Sequence, residues 1–259
     1  MDPRLRVALG AVAVVQALFA AALFWQVPAV LGAWPFPGTS PLSATLLASL
    51  LAAAAASTGW AVWADRERAL AGIAWDYIAN FGFMLAIGAW KVATGDGGLL
   101  PFTVASVGGL AFGIGLYRRV RHVPWVDERR MPRIVRVSFG IFVAALAAVG
   151  LALIAGIPNL LPWTVTTDLS VVFGAMLLSA GAYFVYGLRH PVMDNAYGQL
   201  VGFLAYDLVL LVPLATRLPG VDPAFALGLA LYLAVILYSA VLATWFLFVN
   251  PASRLARRR

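Results

Sequence analysis

No cysteine occurs anywhere in the 259 residues, which excludes disulfides, thiolate metal sites and a cysteine nucleophile. Histidine is nearly as scarce. His122 and His190 are the only two, and both sit in arginine-rich connections. A haem or a histidine-held metal inside the apolar regions therefore has almost no ligands to draw on. Charge as a whole is thin: 11% of residues are charged and 63% are hydrophobic, against about 25% charged in a soluble domain. Too few charges remain to keep a surface of this size in water, so the solvent for most of the chain is lipid. Catalytic signatures are missing as well. There is no HExxH, no Walker sequence and no GxSxG, nor a DxxxD-type acid pair to hold Mg²⁺ around a diphosphate. Asp65, Glu67, Asp127 and Glu128 are interleaved with arginines and read as solvated loop charges. The sequence thus gives no expectation of an enzyme, a metal or a cofactor.

What is present is a series of long apolar runs. A spanning helix needs about 20 mostly apolar residues, and eight segments reach that length: roughly 7–30, 42–64, 69–92, 99–117, 135–157, 169–188, 196–217 and 224–249. Transmembrane strands would instead give alternating segments of about 10 residues. The first run is longer than the core of a cleavable signal peptide, and so reads as a first span. The expected fold is an all-α integral membrane protein of eight transmembrane helices.

Orientation follows from the arginines. Arg4 and Arg6 precede the first run, Arg66 and Arg68 separate the second and third, and seven arginines from Arg118 to Arg136 separate the fourth and fifth. Arg189 follows the sixth run, and Arg254, Arg257, Arg258 and Arg259 end the chain. Only Lys91 and Arg217 lie on the other side. By the positive-inside rule both termini are cytoplasmic, as in a bacterial inner membrane. The net charge of +7 then reads as a topology signal and an attraction to anionic lipid headgroups. Basic residues spread over five membrane-edge segments do not suggest nucleic-acid binding.

An internal duplication is legible. Residues 6–28, RVALGAVAVVQALFAAALFWQVP, align without a gap on residues 136–158, RVSFGIFVAALAAVGLALIAGIP. Both begin Arg-Val, carry Gly at the fifth position and end in Pro. The following segments, VPAVLGAWPFPGTSPLS and IPNLLPWTVTTDLS, share a Pro, a Trp, hydroxyl residues and a Leu-Ser pair. The chain therefore reads as two tandem four-helix repeats, 1–120 and 133–259, joined by a basic cytoplasmic linker at 121–132. Four crossings return each half to its starting side, so both halves share one orientation. The four-plus-four layout is similar to that of bacterial anion and sulfite exporters. The glycine-rich repeat signature of that family does not occur here, and no family is assigned.

Within the spans, polar residues carry the functional expectation, because an ionisable group in lipid is costly. Asp168 follows two threonines and reads as a helix N-terminal cap. Lys91 reads as snorkelling to the interface. Tryptophans at span ends (Trp25, Trp34, Trp60, Trp63, Trp90, Trp163, Trp245) read as interfacial belts, with Trp75 too deep for one. Gly109 and Gly113 form a GxxxG pair suited to close helix packing. The candidates that remain are Asp76 and Asn80, one turn apart on a face of the third span, and Gln199 and Asp207 in the seventh. They suggest a substrate- or proton-binding site between the repeats of a small transporter or permease. The alternative is a non-catalytic accessory or scaffold subunit that binds lipid, pigment or partner helices, or a second copy of itself.

Overall fold

A computed structural model describes residues 1–255; Arg257, Arg258 and Arg259 of the basic tail lie outside the described residues. Among the described residues the chain is all helical, with no strand beyond a single bridge between Arg130 and Val192. Eight helices are long and apolar enough to cross a membrane, the mark of an integral membrane protein. They are α1 (Pro3–Phe24), α3 (Pro41–Trp63), α4 (Leu70–Ala93), α5 (Leu100–Val120), α6 (Arg133–Ile154), α7 (Thr167–Arg189), α8 (Met193–Ala215) and α9 (Pro223–Thr244). A short α2 (Pro28–Ala33) lies between the first two.

The helix starts are written in the sequence. Asp2-Pro3, Ser40-Pro41 and Asp222-Pro223 each place an oxygen-bearing cap before a proline at the first helical position. Their side chains accept from the amides of Arg4, Leu42 and Ala224 at 2.8, 3.3 and 2.8 Å. Proline lacks the N–H that would be orphaned there, so nothing is lost by its presence. Within α8, Pro213 leaves the Val209 carbonyl without its usual donor.

Neighbour relations run α1–α3–α8–α9 in one row and α5–α4–α7–α6 in another, while α3 and α4, and likewise α7 and α8, touch only slightly. The central helices α3 and α7 bury the largest share of their length. In the second row the packing relies on glycine. A Cβ on Gly109 would fall 2.4 Å from the Phe81 ring, and one on Gly113 3.1 Å from the Ile78 amide, so α5 lies directly on α4. Between α6 and α7, a Cβ on Gly174 would come within 2.5 Å of the Gly150 carbonyl oxygen. Such approach is how helices gain dispersion energy where lipid supplies no hydrophobic drive between them.

Several details differ from the sequence reading. The first run ends at Phe24, and residues 28–33 form their own short helix. The seventh helix begins at Met193 rather than 196, and so draws Asp194 and Asn195, both buried, into its first turn. Trp60 and Trp163 are not belt residues: they are 7% and 4% exposed. Trp163 turns inward because its indole N–H finds the Ser43 hydroxyl at 3.1 Å, and Trp60 packs against the tilted Tyr197 ring, centroids 5.7 Å apart. Trp25, Trp63, Trp90 and Trp245 do face outward. The cap of α7 is the Thr166 hydroxyl, which accepts from the Leu169 amide. Asp168 instead receives Lys91 Nζ at 2.6 Å, pinning the C-terminal end of α4 to the N-terminal end of α7.

The acids at the basic end are only partly solvated. Asp65 is exposed and takes Arg6 at 2.6 Å and the N-terminal ammonium at 3.0 Å. Asp127, by contrast, is buried. The Arg129 guanidinium grips both its oxygens, and this contact holds its carboxyl below the usual carboxylate range. Arg129 continues to the Tyr197 hydroxyl and the Ala252 carbonyl, so the linker is tied to the chain's end. Beside it Asp194 is fully buried, receiving Arg66 Nη1 at 2.8 Å and the amides of Val126 and Asp127 at 2.7 and 3.0 Å.

Candidate functional site

Helical spacing decides what faces the space between the two rows. On α4, Gly72, Asp76 and Asn80 recur every fourth residue and share a face. A Cβ at Gly72 would strike the Tyr183 ring of α7 at 2.7 Å, so this face of α4 looks toward α7. Tyr183 reaches across to α8, where its hydroxyl would lie 2.7 Å from a Cβ on Gly198. Two glycines, one on each side, make room for one tyrosine.

Polar groups of five helices collect around it. Gln16 of α1 donates to the Tyr77 hydroxyl at 2.9 Å, and Thr58 of α3 lies 3.5 Å from the same oxygen. Ser57 of α3 donates to the Gly198 carbonyl at 2.8 Å. Gln199 donates its amide N–H to the Tyr183 carbonyl at 2.7 Å. Tyr183 lies within electrostatic reach of both Asp76 and Tyr77. This belt sits roughly 9 Å inside the basic end, counting six residues of α4 from Leu70 to Asp76 at a 1.5 Å rise.

Three acceptor groups of the belt are left over. The side-chain carbonyl oxygens of Gln16 and Gln199 are buried without a donor. The Asp76 carboxylate is half-buried, and no hydrogen bond to it occurs among the described residues. Native interiors pair nearly all such groups. Each of the three is an unfilled acceptor, the kind of group that takes a proton or a hydrogen-donating cation.

Asp207 belongs to a different place. It is buried on α8, and the Ser239 hydroxyl of α9 lies 2.8 and 2.7 Å from its two oxygens. The hydroxyls of Tyr206 and Tyr232 are bonded to each other alongside. Asp207 thus faces α9, its own neighbour in the row, whereas Asp76 faces α7. Of the four candidates, Asp76, Asn80 and Gln199 border the space between the rows and Asp207 does not join them. Asn80 makes no side-chain hydrogen bond among the described residues. The sequence reading missed Tyr77, Tyr183, Ser57, Thr58 and Gln16. Gln16 was open to the same rule that selected Asp76, a polar side chain well inside an apolar run.

Elsewhere, a groove of about 660 Å³ runs between α1, α3 and α8, floored by Ala13, Ala17, Ala52, Ala55 and Ala56. Among the described residues no group of three or more histidines and acids is placed to hold a metal. Comparison with protein-family models, with curated proteins and with solved structures finds no match.

Proposed function

We propose that the chain is a small transporter or permease whose site is the polar belt around Asp76. The observation that carries this is a carboxylate, unbonded among the described residues, that shares its belt with two donorless amide oxygens, whereas the buried acids Asp194 and Asp207 have their partners. Intramembrane ionisable groups are expensive to keep and mark ion or substrate paths. Gln199 and Asn80 border the same space. Asp207, held by Ser239, serves as a helix-joining group in this reading.

The chain is then two tandem four-helix repeats in one orientation, residues 1–120 and 133–259, with 121–132 as a basic linker. Equivalent packing supports it: α1 lies on α3 as α6 on α7, α4 on α5 as α8 on α9, and α3 on α8 as α7 on α4. The outer connections that resemble each other in sequence also touch, Thr39 donating to the Thr164 carbonyl at 3.1 Å. The basic end, which gathers Met1 and the last described residues up to Leu255, faces the cytoplasm by the positive-inside rule, in a bacterial inner membrane with anionic headgroups against it.

The test uses proteoliposomes loaded with a pH-sensitive dye, under a valinomycin-clamped potassium potential, challenged with a panel of small organic and inorganic ions. Wild-type protein should move protons with at least one member of the panel. Asp76→Asn should cut that flux at least tenfold while eluting as a folded species. Flux unchanged in Asp76→Asn, or absent from wild type across the panel, overturns the assignment. The alanine-floored groove favours a second reading, an accessory subunit that seats a partner helix or a lipid tail. Stoichiometric partners retained in mild detergent would support that reading over transport.

A further inference from the structure

At the basic end, five aromatic rings from four segments form one connected cluster. Trp75 of α4 contacts Tyr117 of α5 and Tyr186 of α7, with centroids 6.2 and 5.9 Å apart. Tyr186 stacks on His190 at 4.4 Å, and His190 lies 6.0 Å from Trp125 of the linker. Three guanidiniums are laid over this cluster: Arg68 on Trp125 at 4.9 Å, Arg189 on Trp75 at 5.6 Å and Arg121 on Tyr117 at 5.9 Å.

Among the described residues, each of these arginines has an aromatic ring beneath it and no carboxylate beside it; Arg118, Arg130 and Arg133 also have no carboxylate but lie over no ring. Arg6, Arg66, Arg119 and Arg129 each pair with a carboxylate. Among the described residues no acid lies within ion-pair distance of Arg68, Arg121 or Arg189. Arg68 spends one N–H on the Val120 carbonyl at 3.2 Å, which fixes its stem and leaves the rest of its fork open. At the base of the cluster Tyr186 is 1% exposed, and its hydroxyl has no partner. That hydroxyl lies within electrostatic reach of Arg68 and Tyr117. A buried hydroxyl without a bond costs stability unless something fills it.

We propose that this cluster is a phosphate-binding site, formed by Arg68, Arg121 and Arg189 over the aromatic rings with the Tyr186 hydroxyl as a further donor. Guanidinium forks match phosphate oxygens in pairs, and the aromatic faces hold the forks in place without neutralising them. The occupant carries a phosphate group, either free or on a lipid headgroup whose chains lie along the outward faces of α4 and α5. The site shares no residue with the belt around Asp76, and it stands whether or not the protein transports.

The test uses the full chain in dodecyl maltoside, with dioctanoyl phosphatidic acid, dioctanoyl phosphatidylcholine and inorganic phosphate as probes, read by native mass spectrometry and titration. Phosphatidic acid should bind saturably and at least tenfold tighter than phosphatidylcholine. The Arg68→Ala/Arg189→Ala pair should lose at least tenfold, and Tyr186→Phe several-fold. Arg68→Lys should also weaken binding, since an ammonium keeps the charge but not the fork. Displacement by inorganic phosphate, with the same arginine dependence, assigns the site to free phosphate; failure to displace assigns it to the lipid. Elution profile and melting temperature report folding. If the double variant does not fold, Arg189→Gln, at an exposed position, and Tyr186→Phe carry the test. Equal affinity for the two lipids, or phosphatidic acid binding unmoved by these substitutions, overturns the proposal.

Discussion

Asp194 offers the sharpest test of how the basic end is held. Its carboxylate is fully buried and takes three donors: Arg66 from the α3–α4 turn and two amides from the linker. Asp194→Asn removes the charge but keeps one oxygen able to accept. Breaking one side of a buried ion pair costs about 3–5 kcal/mol, and the retained acceptor puts Asn near the lower bound, about 3 kcal/mol on the same scale. Asp194→Ala also strands two amides, at about 1 kcal/mol or more each, and belongs near or above the upper bound. Against a total of about 5–15 kcal/mol for a folded domain, either loss is large. Unfolding by SDS titration in mixed micelles, followed by tryptophan fluorescence, reads the global cost. Trypsin cleavage between Arg118 and Arg136 reads the local one, and the linker should be cut well before the bundle unfolds. Adding Arg66→Met to Asp194→Ala should cost at least about 1 kcal/mol less than the two separate losses combined. A loss within about 0.5 kcal/mol of wild type, the range of ordinary surface substitutions, or a linker that stays protected, would refute the reasoning.

Two further outcomes follow from the packing and the charges. Because Arg129 lowers the Asp127 carboxyl relative to its unfolded value, the stabilisation is complete above the ordinary aspartate range and is lost as pH falls through the lowered one. Linker protection from an acid-active protease should therefore drop on acidification in wild type, and Asp127→Asn should show the unprotected level already at neutral pH. Gly174→Ala forces a methyl against the Gly150 carbonyl, where backbone must move, and should cost about 1–3 kcal/mol as overpacking does. Gly108→Ala, with nothing within 4 Å, should stay near wild type in the same SDS titration.

Helix number and approximate position were legible because lipid imposes one rule along the whole chain, length and apolarity, while several ends were not. Starts were legible where a cap precedes proline. Partners were not. Asp194 sits in RHPVMDNAYGQ, which by local pattern is a polar connection, and its ligands lie 128 and 67 residues away. Trp163 matched the span-end pattern of a belt residue, yet Ser43, 120 residues earlier, turns its indole inward. Asp76 and Asp207 looked alike as acids within apolar runs. Only the placement of Ser239 separates them, giving one a hydroxyl partner and leaving the other bare. Polarity in a span is readable from the sequence, whereas its satisfaction depends on which helix comes alongside.

The neighbour order of the helices also dictates how the chain is made. As it emerges, α1 and α3 can close on each other at once, as can α4 and α5, but α3 and α4 hardly touch. The first four spans therefore enter the bilayer as two hairpins joined by the turn at 64–69 and by a few polar contacts such as Gln16 to Tyr77, with little helix-on-helix packing between them. Their remaining faces wait for α7 and α8, which arrive only after the linker has been synthesised. Ser57 finds its acceptor 141 residues later, at Gly198. Insertion and assembly are thus separated in time, and a ribosome stalled within the linker would leave two hairpins tethered through the turn at 64–69 but lacking the α7 and α8 faces they pack on.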